Sequence, residues 1–227
     1  GAVIIGGLME HIEPAGIHSG DSACCLPSVS LGESALTTIR DWSRSLAQTL
    51  DVRGLINLQF AVQRNTDGTE VVYIIEANPR ASRTVPFVAK ATGQPLARLA
   101  TRLMAGETLI DIGLTSEPKP PLQSIKEAVL PFRRFPGADT VLGPEMRSTG
   151  EVMGSADSFG MAYAKAELGA GEALPTQGKV FLSTHDRDKQ ALVPVAARLI
   201  ELGFEVTATS GTAAALANAG LKGQSVL

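Results

Sequence analysis

The chain is 227 residues long and carries 20 Lys+Arg against 23 Asp+Glu, a formal net charge of −3. Hydrophobic residues make up 44 % and charged residues 19 %, which excludes a disordered or collagen-like chain, and the mild acidity argues against a general nucleic-acid binder. Aromatics are only 4 %, too few for base-stacking platforms, and no uncharged apolar run approaches the ~20 residues of a membrane span.

In chain order, residues 2–12 read as a strand and 13–30 as a loop punctuated by Pro14, Gly16, Gly20 and Pro27. A helix is predicted over 31–50, because Leu36, Ile39, Leu46 and Leu50 keep a helical period and Ser30-Leu31-Gly32-Glu33 has capping-box spacing. Strands follow at 54–63 and 70–78. Short helices at 85–92 and 95–105 each have Pro near the start and Gly at or just past the end. Residues 114–124 read as a Pro-rich loop, 126–132 and 150–154 as strands, and 156–168 as a helix ending at Gly169. The segment Gly169–Pro175 is the best linker. Beyond it come strand 179–183, helix 188–202, strand 204–208, helix 212–219 and the start of another strand, the βαβαβ opening of a parallel α/β sheet. Charge balances at five basic against five acidic residues in 171–227, so the net −3 lies before the linker.

The chain opens at Gly1 in an apolar run, with no Met and no basic region before it, so a signal peptide is not expected. It closes as Ser225-Val226-Leu227 begins another run, and the expectation is a segment cut inside structure at both ends. The two cysteines, Cys24 and Cys25, are adjacent, which offers neither a disulfide framework nor a zinc site and points to a reducing, cytoplasmic setting.

The most informative stretch is 55–78. Asp67-Gly68 is a two-residue hairpin signal. With Thr66 and Thr69 closing the turn, Gln59 falls opposite Glu76 and Asn57 opposite Asn78, and cross-strand partners share a face. The opposite face, Ile56, Leu58, Phe60, Val62, Tyr73, Ile75 and Ala77, reads as core. A carboxylate beside amide oxygens is hard-oxygen chemistry suited to Mg²⁺ or Mn²⁺, which also bind substrate phosphates. Spacing alone leaves open a solvated polar face with one ordinary Glu. Arg80 and Arg83 follow, two guanidinium groups able to clamp a phosphate or carboxylate, or simply to pair with acids. The loop Glu13–Ser22 offers flexible backbone at Gly16 and Gly20 and donors at His18 and Ser19, and it lacks the Gly-Lys-Ser/Thr of a Walker A loop. His11 and His18, seven apart across a Pro and a Gly, do not read as a metal pair. His185 with Asp186 and Asp188 reads as a strand-to-helix loop.

The strings MEHIEPAGIHSGDSA (9–23), NLQFAV (57–62), IEANPRASRTVPFVAKATG (75–93), VLPF (129–132) and LGPEMRSTGEVMG (142–154) closely resemble the carbamoyl phosphate synthetase large-chain family. The likeness is to its carbamate-phosphorylating ATP-grasp half, over residues 1 to about 168; 178–227 resemble the start of its methylglyoxal-synthase-like regulatory domain. The resemblance implies an α/β chain: an α+β ATP-grasp lobe at 1–170, then a partial Rossmann-like parallel α/β domain at 171–227.

It also implies roles. Gln59, Glu76 and Asn78 would hold the divalent ions that bridge the ATP phosphates. Gly16, Ile17, His18 and Ser19 would line the nucleotide. Arg80 and Arg83 would face the transferred phosphoryl group or the carbamate. Lys126 and Glu127 match a charged pair near the carbamate path, and Glu13, Asp21 and Glu127 match an ornithine site. Lys189, Thr209 and Thr212 match positions that bind uridine or inosine nucleotide effectors. The implied reaction is ATP- and Mg²⁺-dependent phosphorylation of carbamate, for pyrimidine and arginine synthesis, in a cytoplasmic, oligomeric parent with a glutaminase small subunit and no nucleic-acid or membrane partner. The family's second ATP-covering subdomain matches nothing in these residues, so the chain alone is expected to be inactive. Two other readings remain: another ATP-grasp ligase, akin to biotin carboxylase or D-alanine ligase, and an effector-binding or assembly module that binds no ATP.

Overall fold

A computed structural model describes residues 1–221 and 224–226. The mixed α/β class expected from the sequence is what the chain adopts, and it divides into two compact units, Gly1–Ala173 and Leu174–Leu227.

The first unit is built on an antiparallel sheet of four strands in the order β1 (Glu10–His11), β2 (Cys24–Leu26), β5 (Gln123–Val129), β6 (Gly150–Ala156). Successive side chains alternate between its faces. Cys25, Ile125 and Ala156 point to one side and pack on Ala162 and Ala166 of helix α4 (Phe159–Ala170). The helix lies so close that a Cβ on Gly154 would stand 2.2 Å from the Ala162 carbonyl oxygen. Leu26 and Met153 pack on the other side, against Phe87, Val88 and Ala91 of helix α2 (Val85–Thr92) and Leu96 of helix α3 (Leu96–Met104). Lys126 shares that second face, since Cys24 and Met153 are its direct cross-strand partners.

A separate hairpin, β3 (Asn57–Arg64) and β4 (Glu70–Asn78), packs on helix α1 (Glu33–Thr49). Val72, with Phe60 and Val62, meets Ala35 and Ile39 of α1. The loop of this hairpin is three residues, not two. Asn65 N–H donates to Thr69 O at 2.8 Å, Gly68 N–H donates to Asn65 O at 3.0 Å, and Gly68 takes φ of +84°. That lengthening shifts the register by one, and a bulge between Gln59 and Phe60 shifts it back. Gln59 therefore does oppose Glu76 and Asn57 does oppose Asn78. The core face is corrected in the same step: Val72 is buried, while Tyr73 and Ile75 are each 49 % exposed.

Other departures have local causes. Only Glu10–His11 of the expected strand 2–12 is paired, because no described strand lies beside residues 2–9; Gly6 and Gly7 pack instead on Leu96 and Val88. The loop 13–30 contains β2. The expected capping box is absent: Gly32 caps α1 without a side chain, and Ser30 is drawn to the Glu10 carboxylate, which also accepts from the Val29 and Ser28 donors. Residues 132–134 form a 3₁₀ turn rather than strand end. Helix α4 runs through Gly169 to Ala170 and stops at Gly171, whose φ of +89° suits a residue without Cβ.

The second unit is a parallel sheet in the order β7 (Lys179–Leu182), β8 (Glu205–Thr209), β9 (Gln224–Val226). Helices α5 (Lys189–Glu201) and α6 (Ser210–Asn218) connect them. Ala196, Val206, Ala208, Ala213 and Leu216 form its core. The predicted alternation is present, with α6 starting two residues early. The closing apolar run ends at Leu227, which lies outside the described residues.

Candidate functional site

A cavity of about 790 Å³ opens in the first unit, within the range that holds a nucleotide-sized ligand. Three of the segments that wall it bring the sequence-predicted residues. The hairpin contributes Asn57, Gln59, Glu76 and Asn78; the loop after β1 contributes Glu13, His18, Ser19 and Gly20; the segment between β4 and α2 contributes Arg80, Ser82 and Arg83. Gly16 and Ile17 do not line it: they form a turn in which Ile17 N–H donates to Pro14 O at 3.0 Å.

The hairpin places the four polar residues because pairs Gln59–Glu76 and Asn57–Asn78 are adjacent, same-face positions at its inner end. Ser82 Oγ reaches Asn57 Oδ1 at 3.4 Å, tying the strand to the turn that follows β4. No group of three or more His, Cys, Asp or Glu able to hold a metal occurs among the described residues. One carboxylate with two amide oxygens is too few ligands for a resident metal cage. It fits an ion that keeps waters and brings phosphate oxygens with it, as Mg²⁺ does.

The loop is rigidly set. His18 N–H donates to Gly143 O at 2.8 Å, and its Nδ1 accepts from Gly20 N–H at 3.0 Å. Asp21 is buried, and its two oxygens accept the backbone N–H groups of Arg147 and Ser148, each at 2.8 Å. Burial alone would raise its pKa; those amides, the Ser148 hydroxyl and His18 outweigh it and hold the carboxyl below its ordinary value. Asp21 is absent from the cavity wall, with its acceptors spent on backbone. His11 lines the cavity, and burial together with the Lys126 charge holds its imidazole below the usual range. Burial pushes the Cys24 and Cys25 thiols up to about 12 and about 11, so neither is a reactive thiolate.

Glu127 faces away from this cavity, toward α4. Burial, with the Glu167 and Glu13 charges, pushes it up to about 7 against the opposing Ala128 amide and Lys126. Glu13 is raised too, chiefly by burial, although its Oε2 accepts Ala23 N–H at 2.7 Å. Tyr163, beside Glu167, has its phenol raised by burial and by these carboxylates.

In the second unit Thr209, Thr212 and Lys189 gather at the start of α6. Thr209 Oγ1 and Thr212 Oγ1 are 3.2 Å apart, and Lys189 Nζ lies 3.0 Å from where a Cβ on Gly211 would stand. Lys189 Nζ is also 2.6 Å from Asp186 Oδ1. Among the described residues, the buried Thr184 Oγ1 beside them has no hydrogen-bond partner.

Sequence reasoning missed Thr184, Ser82 and Glu151. Glu151 lines the cavity from β6, with its Oε1 3.3 Å from Arg83 Nη2. A twenty-residue connection separates β5 from β6, so no turn fixed their register in advance.

Family comparison is specific. Residues 1–112 match the family described as carbamoyl-phosphate synthase L chain, ATP binding domain, and residues 191–227 match the MGS-like domain. The carbamoyl phosphate synthase large chain of Synechocystis sp. is 60 % identical over all 227 residues, which cover 100 % of this chain and 20 % of that protein. That of Nostoc sp. is 61 % identical, covering 100 % of this chain and 21 % of that one. The chain thus spans about a fifth of the length of these relatives. Among solved structures, the biotin carboxylase domain of a single-chain bacterial carboxylase aligns at 30 % identity over 47 % of this chain and 25 % of that one, with a TM-score of 0.41. By its matching domains and its identity to these proteins, the chain belongs to the carbamoyl phosphate synthase large-chain family.

Proposed function

We propose that the cavity of the first unit binds a Mg²⁺– or Mn²⁺–nucleotide and is where a parent large chain phosphorylates carbamate. The reading rests above all on one observation: Gln59–Glu76 and Asn57–Asn78 are neighbouring cross-strand pairs on the cavity wall, beside Arg80 and Arg83. Glu76, Gln59 and Asn78 would hold the ion, which when bound neutralises charge on the ATP phosphates. Arg80 and Arg83 offer planar forks for the transferred phosphoryl group or the carbamate. His18 and Ser19, on a loop fixed by Asp21, line the nucleotide. Phosphoryl transfer asks the protein chiefly for positioning and charge stabilisation, and no general base is assigned.

Binding should be visible directly. In a full-length large chain carrying this segment, electron paramagnetic resonance of Mn²⁺ with ADP should show that Glu76→Gln loses one class of bound ion. Unchanged Mn²⁺ occupancy would remove the site from the hairpin.

The second unit supports a regulatory reading. Lys189, Thr209 and Thr212 converge with the Thr184 hydroxyl, which has no partner among the described residues, at a helix N-terminus, a set suited to the phosphate of a uridine or inosine nucleotide. Glu13, Glu127 and Glu167 form a carboxylate group suited to an amine such as ornithine, with Asp21 ordering the loop beside them. A glutaminase subunit, an oligomeric parent and a cytoplasmic setting complete the proposal.

A further inference from the structure

Arg83 does not stand alone at the cavity. Its Nη2 lies 3.3 Å from Glu151 Oε1 and 3.5 Å from Ser148 Oγ. Glu151 Oε1 is shielded from solvent and, among the described residues, accepts no aligned hydrogen bond. A carboxylate oxygen in that position is expensive unless cations flank it. On its other side, 3.9 Å away, is the amino group of Lys126, a side chain with no exposed surface. Lys126 Nζ is fixed in turn, because it donates to Ser22 O at 2.6 Å and to Ser19 O at 3.4 Å. The line of charges therefore runs from the backbone of the His18–Ser22 loop through Lys126 and Glu151 to the Arg83 guanidinium. Three parts of the fold meet in it: the loop after β1, the β5–β6 pair, and the segment between β4 and α2.

The chemistry of the three groups differs. Arg83 is 43 % exposed at its side chain and borders the cavity, so it can meet an anion. Glu151 is largely covered and Lys126 wholly so. A flexible guanidinium loses less freedom on meeting an oxyanion when another carboxylate already holds one edge of its fork. We propose that Glu151, anchored by Lys126, is a positioning residue that holds the Arg83 guanidinium at the cavity and couples its placement to the loop bearing His18 and Ser19. This rests on the reading of the cavity as a phosphoryl-transfer site.

The test is a double-mutant cycle in a full-length large chain carrying this segment, assayed as ATP formation from carbamoyl phosphate and ADP. Glu151→Gln keeps volume and removes charge; it should lower kcat/KM for carbamoyl phosphate about ten- to hundredfold. Arg83→Ala should lower it at least as much. In the Arg83→Ala background, Glu151→Gln should change it by less than about twofold, since its target is gone. Multiplying effects, or no effect of Glu151→Gln where Arg83→Ala is damaging, would overturn the proposal and leave the site reading intact. If Arg83→Ala itself has no effect, the site reading fails, and the proposal with it. Should Glu151→Gln fail to fold, Glu151→Asp, which keeps the charge and withdraws it by one methylene, enters the same cycle with the same criteria.

Discussion

Two acids, Asp21 buried and Glu127 half-buried, have opposite titration behaviour for one physical reason, the supply of donors around each. Asp21 has two backbone amides and lies below its ordinary carboxyl range, so its stabilisation is full above 3.8 and is lost as pH falls. Asp21→Ala should cost about 2–4 kcal/mol at neutral pH, read as a lower denaturant midpoint. Glu127 has one amide, three carboxylate or phenol neighbours and a shielded Oε2 without a partner among the described residues. Its folded value near 7 exceeds the 4.5 of the free group, so folding takes up a proton between them and stability falls as pH rises through that window. Glu127→Gln should abolish that decline and stabilise the chain by about 1–3 kcal/mol at pH 8. Parallel curves for the two proteins from pH 5 to 8 would refute it. Residue types at the cavity were legible in the sequence because they cluster near turn signals: Gln59, Glu76, Asn78, Arg80 and Arg83 flank one hairpin. Glu151 was not, since it is an ordinary acid on a strand whose partner depends on a distant pairing. Asp21, which the resemblance implies at an ornithine site, has both oxygens on the Arg147 and Ser148 amides, a pairing of distant segments that sequence spacing does not show.

Among the elements, the hairpin shows how a sequence reading can reach the right pairing by an incomplete route. The sequence signal at Asp67-Gly68 implies a two-residue turn, while Asn65 and Thr69 close a three-residue one; the bulge at Gln59/Phe60 restores the pairing at the ligand end. Nothing in local propensity marks the bulge, which lies where the hairpin packs on α1 through Val72 and Phe60. The exposure of Tyr73 and Ile75 follows from the same shift. The packing of α4 is the other element-scale constraint. Gly154→Ala would drive a methyl into the Ala162 carbonyl and the Ala166 amide, and should cost at least about 2 kcal/mol in a denaturant melt. Gly160, with nothing within 4 Å of its Cβ position, should tolerate Ala at less than about 1 kcal/mol. Equal costs at the two positions would show that the α4–sheet distance is not the constraint. Strand existence was legible from apolar alternation, but β2 was not, because three buried residues in a Pro- and Gly-rich loop carry too short a pattern.

At the scale of the whole molecule, the chain comprises a unit whose cavity is proposed to bind a metal–nucleotide and a parallel α/β unit, and it spans about a fifth of its large-chain relatives. The net charge of −3 belongs to the segment and describes no partner. The α/β rhythm after residue 175 was legible because each helix there ends at a glycine with positive φ, Gly203 and Gly220. The 227-residue chain alone should show no ATP-dependent carbamoyl phosphate synthesis and should bind ATP weakly at best, measured by calorimetry; turnover by the isolated chain would contradict this. The inner end of the β3–β4 hairpin is proposed as the metal–nucleotide site. The most direct measurement is the rate of ATP formation from carbamoyl phosphate and ADP by a full-length large chain carrying Glu76→Gln. A loss of at least about a hundredfold is expected. A rate within about twofold of the unaltered enzyme would mean that Glu76 holds no ion and that the chemistry lies elsewhere.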